Sequence, residues 1–213
     1  MDKKTYNTIR KNVEATGEFY DRKSRFIAQL IHVESQEEAD LFKEEIISRH
    51  HDARHNVPAW ILSDDNMRCS DDGEPQRTAG MPTLEVLLGE NLKDVCCVVT
   101  RYFGGTLLGP GGLIRAYTTA TQNAIKNALE EDKIAVMCEV VDVVVHLTYP
   151  LYDQVLHLAN ESNAKVKDTI YTDKVDLKLV FKKGEEVPFV QRVKELASGE
   201  NLCEVSDPKF SEF

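Results

Sequence analysis

Past residue 139 the apolar positions change period in a regular order. Residues 139–149 form a β-branched run with Val140, Val141, Val143, Val144 and Val145, stopped by Pro150. Leu151, Val155, Leu156, Leu158 and Ala159 then fall at helical spacing and predict a helix over 151–163. Residues 165–171 and 174–181 predict two strands about a turn at Thr172-Asp173. Val190, Val193, Leu196 and Ala197 share one face of a helix predicted over 186–198, which ends at Gly199. Residues 201–205 make a short last strand. The order β-α-β-β-α-β is the ferredoxin-like plan.

The earlier part of the chain reads as α+β. Residues 24–33 alternate, with Phe26, Ala28, Leu30 and His32 on one face of a strand. Ser35, followed three residues on by Glu38, is a capping-box pattern that opens a helix to about Arg49. Strands are predicted at 57–62 and 67–69 about a turn at Asp64-Asp65-Asn66, then a long loop over 70–80. A helix over 82–88, a strand over 95–101 and a long helix over 113–130 complete this half. The charged cluster Glu130-Glu131-Asp132-Lys133 marks a boundary, giving one domain over 1–133 and another over 137–213. Periodicity leaves the strand order of the first domain open.

Composition narrows the function classes. The chain has 213 residues and a formal charge of −10, which disfavours bulk attraction to nucleic acid or an anionic membrane. Any RNA contact needs a local basic patch. The five cysteines contain no C-x-x-C pair, and adjacent Cys96 and Cys97 face opposite sides of a strand. A disulfide framework and a zinc ribbon are disfavoured, and a reducing cytoplasm is expected. Met1-Asp-Lys-Lys-Thr-Tyr6 has no apolar core of a signal peptide, and no run is long enough for a membrane span.

Chemistry concentrates between Thr100 and Ala120. Gly104, Gly105, Gly109, Gly111 and Gly112 separate a strand from a helix. A helix start with bare N–H groups suits an anion. Arg101 and Arg115 bracket the segment and add charge, and Tyr102 and Phe103 offer stacking surface. The other reading is a tight packing turn. If the two arginines bind anions, replacing either weakens binding and leaves the melting temperature nearly unchanged.

Ser70-Asp71-Asp72-Gly73-Glu74-Pro75 is rich in oxygen ligands. Asp71, Asp72 and Glu74 could hold Mg²⁺ beside a phosphate, or the segment is a polar turn with Gly73 at positive φ. In His50-His51-Asp52-Ala53-Arg54-His55, His51 and His55 would share a helix face only if the helix ran on, and Pro58 argues that it has ended. Cys69 precedes the acidic loop, whose charge raises a thiol pKa. No G-x-S-x-G elbow and no Gly-Lys-Ser/Thr phosphate loop is present. Lys182-Lys183-Gly184 is the one compact basic spot of the second domain, read as a solvated hairpin end or a phosphate contact. Tyr149, Tyr152 and Tyr171 read as half-buried at element ends rather than as a base-stacking set.

Arg101-Tyr-Phe-Gly-Gly105 and Leu108-Gly-Pro-Gly-Gly-Leu-Ile-Arg-Ala-Tyr117 resemble the signature of the IMPACT family (YigZ, or UPF0029). Ser70-Asp-Asp-Gly-Glu-Pro75, Thr78-Ala-Gly-Met-Pro82 and Lys23-Ser-Arg-Phe-Ile-Ala28 also fit, so the chain is similar to a bacterial two-domain member. Two departures are local: Gln76-Arg77 stands where the family usually has a small Ser-Gly pair, and Pro110 where Thr or Ala is common. The resemblance implies a ribosomal protein S5 domain 2-like fold for the first domain. For the second it implies a ferredoxin-like domain resembling the last domain of elongation factor G. It places His55 and Asn56 on the surface of the two signature loops. Its eukaryotic relatives regulate translation through an extra partner-binding domain, for which this chain has no room. The resulting expectation is a cytoplasmic, non-enzymatic binding protein without a cofactor, contacting RNA, the ribosome or a translation factor. The alternative is a metal-dependent enzyme acting on a phosphorylated or nucleotide substrate, with Mg²⁺ on Asp71, Asp72 and Glu74.

Overall fold

The computed structural model describes residues 5–63 and 66–213. The predicted turn at Asp64-Asp65 and the first four residues of the N-terminal reading lie outside them. The chain divides into two compact units, Tyr6–Ala135, and Val136–Phe213 with Thr5. Among the described residues no helix is long and apolar enough to cross a membrane.

The first unit runs β1 (Thr5–Ile9), β2 (Glu14–Asp21), β3 (Ser24–His32), α1 (Gln36–Arg49), β4 (His55–Ser63), β5 (Asn66–Cys69), α2 (Gly80–Gly89), β6 (Val95–Tyr102) and α3 (Gly109–Glu130). Strands β2-β3-β6-β4-β5 form an antiparallel sheet in that order. Both faces of its centre are covered. Cys97 and Val99 pack towards α2 and α3 with Phe26, Leu30 and Tyr117. Cys96 and Val98 pack towards α1 with Phe42, Ile46 and Trp60. The adjacent cysteines therefore enter different cores, and burial pushes the Cys97 thiol up to about 12.

Strands β1 and β2 have no counterpart in the sequence reading. β2 buries Ala15 and Gly17 rather than large apolar residues. A Cβ on Gly17 would lie 2.1 Å from the backbone nitrogen of Ala124, so α3 lies directly against this strand. The Ser35 Oγ accepts from Glu38 N at 3.2 Å. The Glu38 carboxylate accepts from Glu34 N at 2.7 Å, one residue before the position a standard capping box uses.

The second unit runs β7 (Ile134–Leu147, its first two residues in the first unit), α4 (Tyr149–Glu161), β8 (Lys165–Tyr171), β9 (Val175–Lys182), α5 (Glu186–Leu196), β10 (Cys203–Val205) and β11 (Lys209–Glu212). Pairing gives β10-β7-β9-β8, all antiparallel, with helices after the first and third strands of the series. This is the ferredoxin-like arrangement. Val141, Val143, Val145 and Leu147 form its core with Val155, Leu158, Phe189 and Val193.

Several expectations are corrected. β7 starts at Ile134, ahead of the expected residue 139. The chain adds β11, which pairs β7 through Lys209↔Val140. Lys183 is tied to Glu139 at 2.9 Å and Lys182 stands over the Phe213 ring, so the basic spot is engaged within the unit. Tyr149 and Tyr171 are more than half exposed rather than half-buried.

Candidate functional site

The sheet register assembles the site. β4 and β6 pair antiparallel with His55 opposite Arg101, and Arg54 N donates to Arg101 O at 2.9 Å. Period-two alternation sends Arg101 to the α3 side and Tyr102 to the α1 side. There the Tyr102 hydroxyl lies 2.9 Å from His50 Nδ1 and 3.2 Å from Asp52 Oδ1. Tyr102 is thus apart from the surface that the sequence reading gave it.

The acidic loop is held by its own carboxylates. Asp71 Oδ1 accepts from Ala79 N at 3.1 Å and Gly80 N at 2.9 Å, while Oδ2 accepts from Arg77 N at 2.7 Å. It caps the start of α2 from outside the helix. Asp72 Oδ2 accepts from Asn56 N at 2.7 Å, and Asn56 Oδ1 accepts from Thr100 Oγ1 at 2.8 Å. Ser70 Oγ accepts from Asp72 N at 3.2 Å. His55 Nδ1 lies 2.6 Å from the Asp72 carbonyl. A carbonyl only accepts, so Nδ1 carries a proton, and Nε2 lies 3.9 Å from Glu74 Oε2. Gly73, at φ +86°, packs beside that ring.

Glu74 points inward. Arg101 Nη1 donates to Glu74 Oε1 at 2.6 Å and Oε2 at 2.8 Å, and Tyr117 donates to Oε1 at 2.8 Å. Arg101 and Glu74 are 5% and 8% exposed, so this is a buried ion pair. Burial first, and the adjacent Glu74 charge second, push the Tyr117 phenol well above its ordinary range, so it remains a donor. The Arg101 guanidinium sits against the rings of Phe26 and Phe103, at 5.5 and 5.6 Å, and its Nε has no hydrogen-bond partner. Arg101 is therefore a buried structural cation, and the expectation that its loss spares the melting temperature is reversed.

Above this pair lies a cavity of about 450 Å³. Phe103, Leu107, Leu108 and Leu113 give it an apolar wall, and Arg54, His55, Glu74 and Arg101 supply its polar groups. Gly109 and Pro110 also line it, because α3 begins at Gly109 rather than at residue 113. Gly109 takes φ +72°, and Pro110 fits the first helical turn. No side chain caps this helix start.

The glycines divide by role. A Cβ on Gly105, Gly109 or Gly111 would meet no atom within 4 Å, so bare backbone faces open space. A Cβ on Gly112 would meet Leu108 Cβ at 3.0 Å. Gly104 is a packing glycine: a Cβ there would lie 2.1 Å from the Lys23 carbonyl carbon, and its N–H donates to Ser24 Oγ at 3.1 Å. Arg115 pairs with Asp21 at 2.6 Å and does not line the cavity. The exposed cation at the cavity is Arg54, which the sequence reading did not single out. Its only signal was its place directly before His55-Asn56.

The metal readings lose their ligands. Asp71, Asp72 and Glu74 each serve different partners, and among the described residues no group of three or more His, Cys, Asp or Glu is placed to hold a metal. α1 ends at Arg49, so His51 and His55 share no helix face. The Cys69 thiol is raised, by burial first and then by Asp71.

The Impact N-terminal domain matches residues 22–125, and a domain of unknown function, DUF1949, matches 145–200. The IMPACT family member YvyE of Bacillus subtilis is 35% identical over 183 residues, which cover 84% of this chain and 82% of that protein. The IMPACT family member YigZ of Escherichia coli is 42% identical over 116 residues, which cover 53% of this chain and 57% of that protein. A crystal structure of a hypothetical protein, 27% identical, aligns with 99% of this chain and 98% of its own at a TM-score of 0.59. With likeness to YvyE spread over most of both chains and the two signature blocks folded against one another, this chain belongs to the IMPACT family.

Proposed function

We propose that the protein is a non-enzymatic regulator of translation that contacts RNA, the ribosome or a translation factor through the surface around the α3 start. The observation that carries the binding reading is the uncapped helix N-terminus opening on a cavity with an exposed arginine and an apolar wall. Helix starts of this kind attract negative groups. The carboxylates nearby are already occupied by backbone N–H groups, Arg101 and Tyr117, which suits a rigid recognition surface. The translational role rests on the family resemblance, and a cytoplasmic site of action follows from that role.

Co-sedimentation of the purified protein with ribosomal subunits across a salt series tests this reading. Binding should weaken with salt, and Arg54→Ala should reduce both the affinity and the salt slope, the slope by about one unit if Arg54 meets a phosphate. Metal-dependent turnover of a phosphorylated substrate that disappears in Asp71→Asn would instead support the enzyme reading.

A further inference from the structure

We propose that the cavity captures the C-terminal carboxylate of a partner protein whose last residue is apolar. The inference rests on the binding reading above and specifies the chemistry that the site selects. Two features receive an anion, and a third adds positive charge beneath them. The start of α3 has no side-chain cap, and the backbone at Gly109 and Gly111 faces open space. Arg54 lines the cavity, is exposed and has no ion pair among the described residues. Arg101 also lines it, is 5% exposed, and keeps a buried Nε donor without a partner.

The charge balance selects a single negative charge. Among the permanently charged groups of the lining, Arg54 and Arg101 stand against Glu74, leaving one positive charge. A carboxylate matches that charge, whereas a phosphomonoester carries nearly two. A nucleic-acid strand needs a row of cations along its backbone. The chain as a whole, at −10, opposes a polyanion.

The wall selects an aliphatic body. Leu107, 80% exposed, joins Leu108 and Leu113 around the space, and the Phe103 ring already has the Arg101 guanidinium against it. The wall is therefore mainly aliphatic. A volume of about 450 Å³ lies within the usual range for ligand pockets. His55 stands at the same wall, its Nδ1 2.6 Å from the Asp72 carbonyl and its Nε2 3.9 Å from Glu74 Oε2. Capture of chain ends by backbone N–H groups is an established recognition mode.

Calorimetric titration with an acetylated tetra-alanyl-leucine peptide tests the proposal. The free acid should bind, and its C-terminal amide should bind at least tenfold more weakly. Arg54→Ala should cost at least tenfold with no change in melting temperature. Gly111→Glu, which places a carboxylate over the helix start, should abolish binding while the protein stays folded. The proposal is overturned if the amide binds as well as the acid, if a nucleoside 5′-monophosphate or oligouridylate binds more tightly than the peptide, or if no peptide binds at millimolar concentration. Arg54-dependent co-sedimentation with ribosomal subunits despite a failed titration would leave the broader binding reading standing. Failure of both would remove both.

Discussion

Replacement of Arg101 by methionine is the sharpest probe of the site's foundation. In the native unit one Arg101 nitrogen donates to both oxygens of Glu74 at 2.6 and 2.8 Å, with both residues almost wholly buried. Removing the cation leaves the carboxylate with the Tyr117 hydroxyl as its hydrogen-bond donor and His55 Nε2 at 3.9 Å. Breaking one side of a buried pair costs about 3–5 kcal/mol, a large share of the roughly 5–15 kcal/mol that holds a domain together. Changing Glu74 to leucine in the same protein removes the stranded charge but orphans the Tyr117 hydroxyl, so the double variant should still lose about 1–3 kcal/mol. Adding Tyr117→Phe should then return the midpoint close to wild type, because apolar replacements of a complete buried network are often neutral. Urea unfolding followed by circular dichroism reads this as a shift in midpoint at constant slope. A loss below about 1 kcal/mol in Arg101→Met is the size expected of an exposed ion pair and would refute the reasoning.

Three further outcomes follow from local geometry. Burial first, then the Arg49 and Arg25 charges, depresses the His50 pKa, so the unfolded chain takes up the proton first and stability should fall as pH drops through about 6.5. Urea midpoints between pH 7.5 and 5 should show that fall, and His50→Gln should flatten it. Gly17→Ala should cost about 3 kcal/mol in thermal unfolding, because its Cβ would press on the Ala124 backbone of α3, which has no side chain to swing aside. Ser35→Ala should cost about 1 kcal/mol by loss of the Oγ bond to Glu38 N, and Ser35→Gly only a few tenths.

The second unit was legible because β7, α4, β9 and α5 are each apolar on one side, so periods of two and near four stand out between Val140 and Val193. β2 was hidden because its buried positions hold Ala15 and Gly17, the residues that the close approach of α3 requires. β6 is covered on both faces, which removes alternation from Val95–Tyr102. Sequence pattern and resemblance brought out the glycine and acidic blocks. Their internal assignments needed the register: Arg101 and Tyr102 are neighbours in sequence and lie on opposite faces of the sheet. The Glu74–Arg101 pair spans separate elements, so no spacing rule reveals it. Arg54 gains its place only when β4 lines up against β6.

The Asp71 carboxylate also sets how the loop meets a protease. Arg77 is exposed, sits at φ +62°, and begins the bond to Thr78 that trypsin would cut. Its N–H is held by Asp71, and Thr78 N donates to the Pro75 carbonyl, so the chain there is folded back rather than extended. Cleavage must wait until Asp71 releases Arg77, Ala79 and Gly80. An irregular surface segment is thereby tied to the start of the helix it caps. The rate at which trypsin nicks it becomes a clock for the opening of the loop that brings Gly73, Glu74 and Pro75 to the cavity.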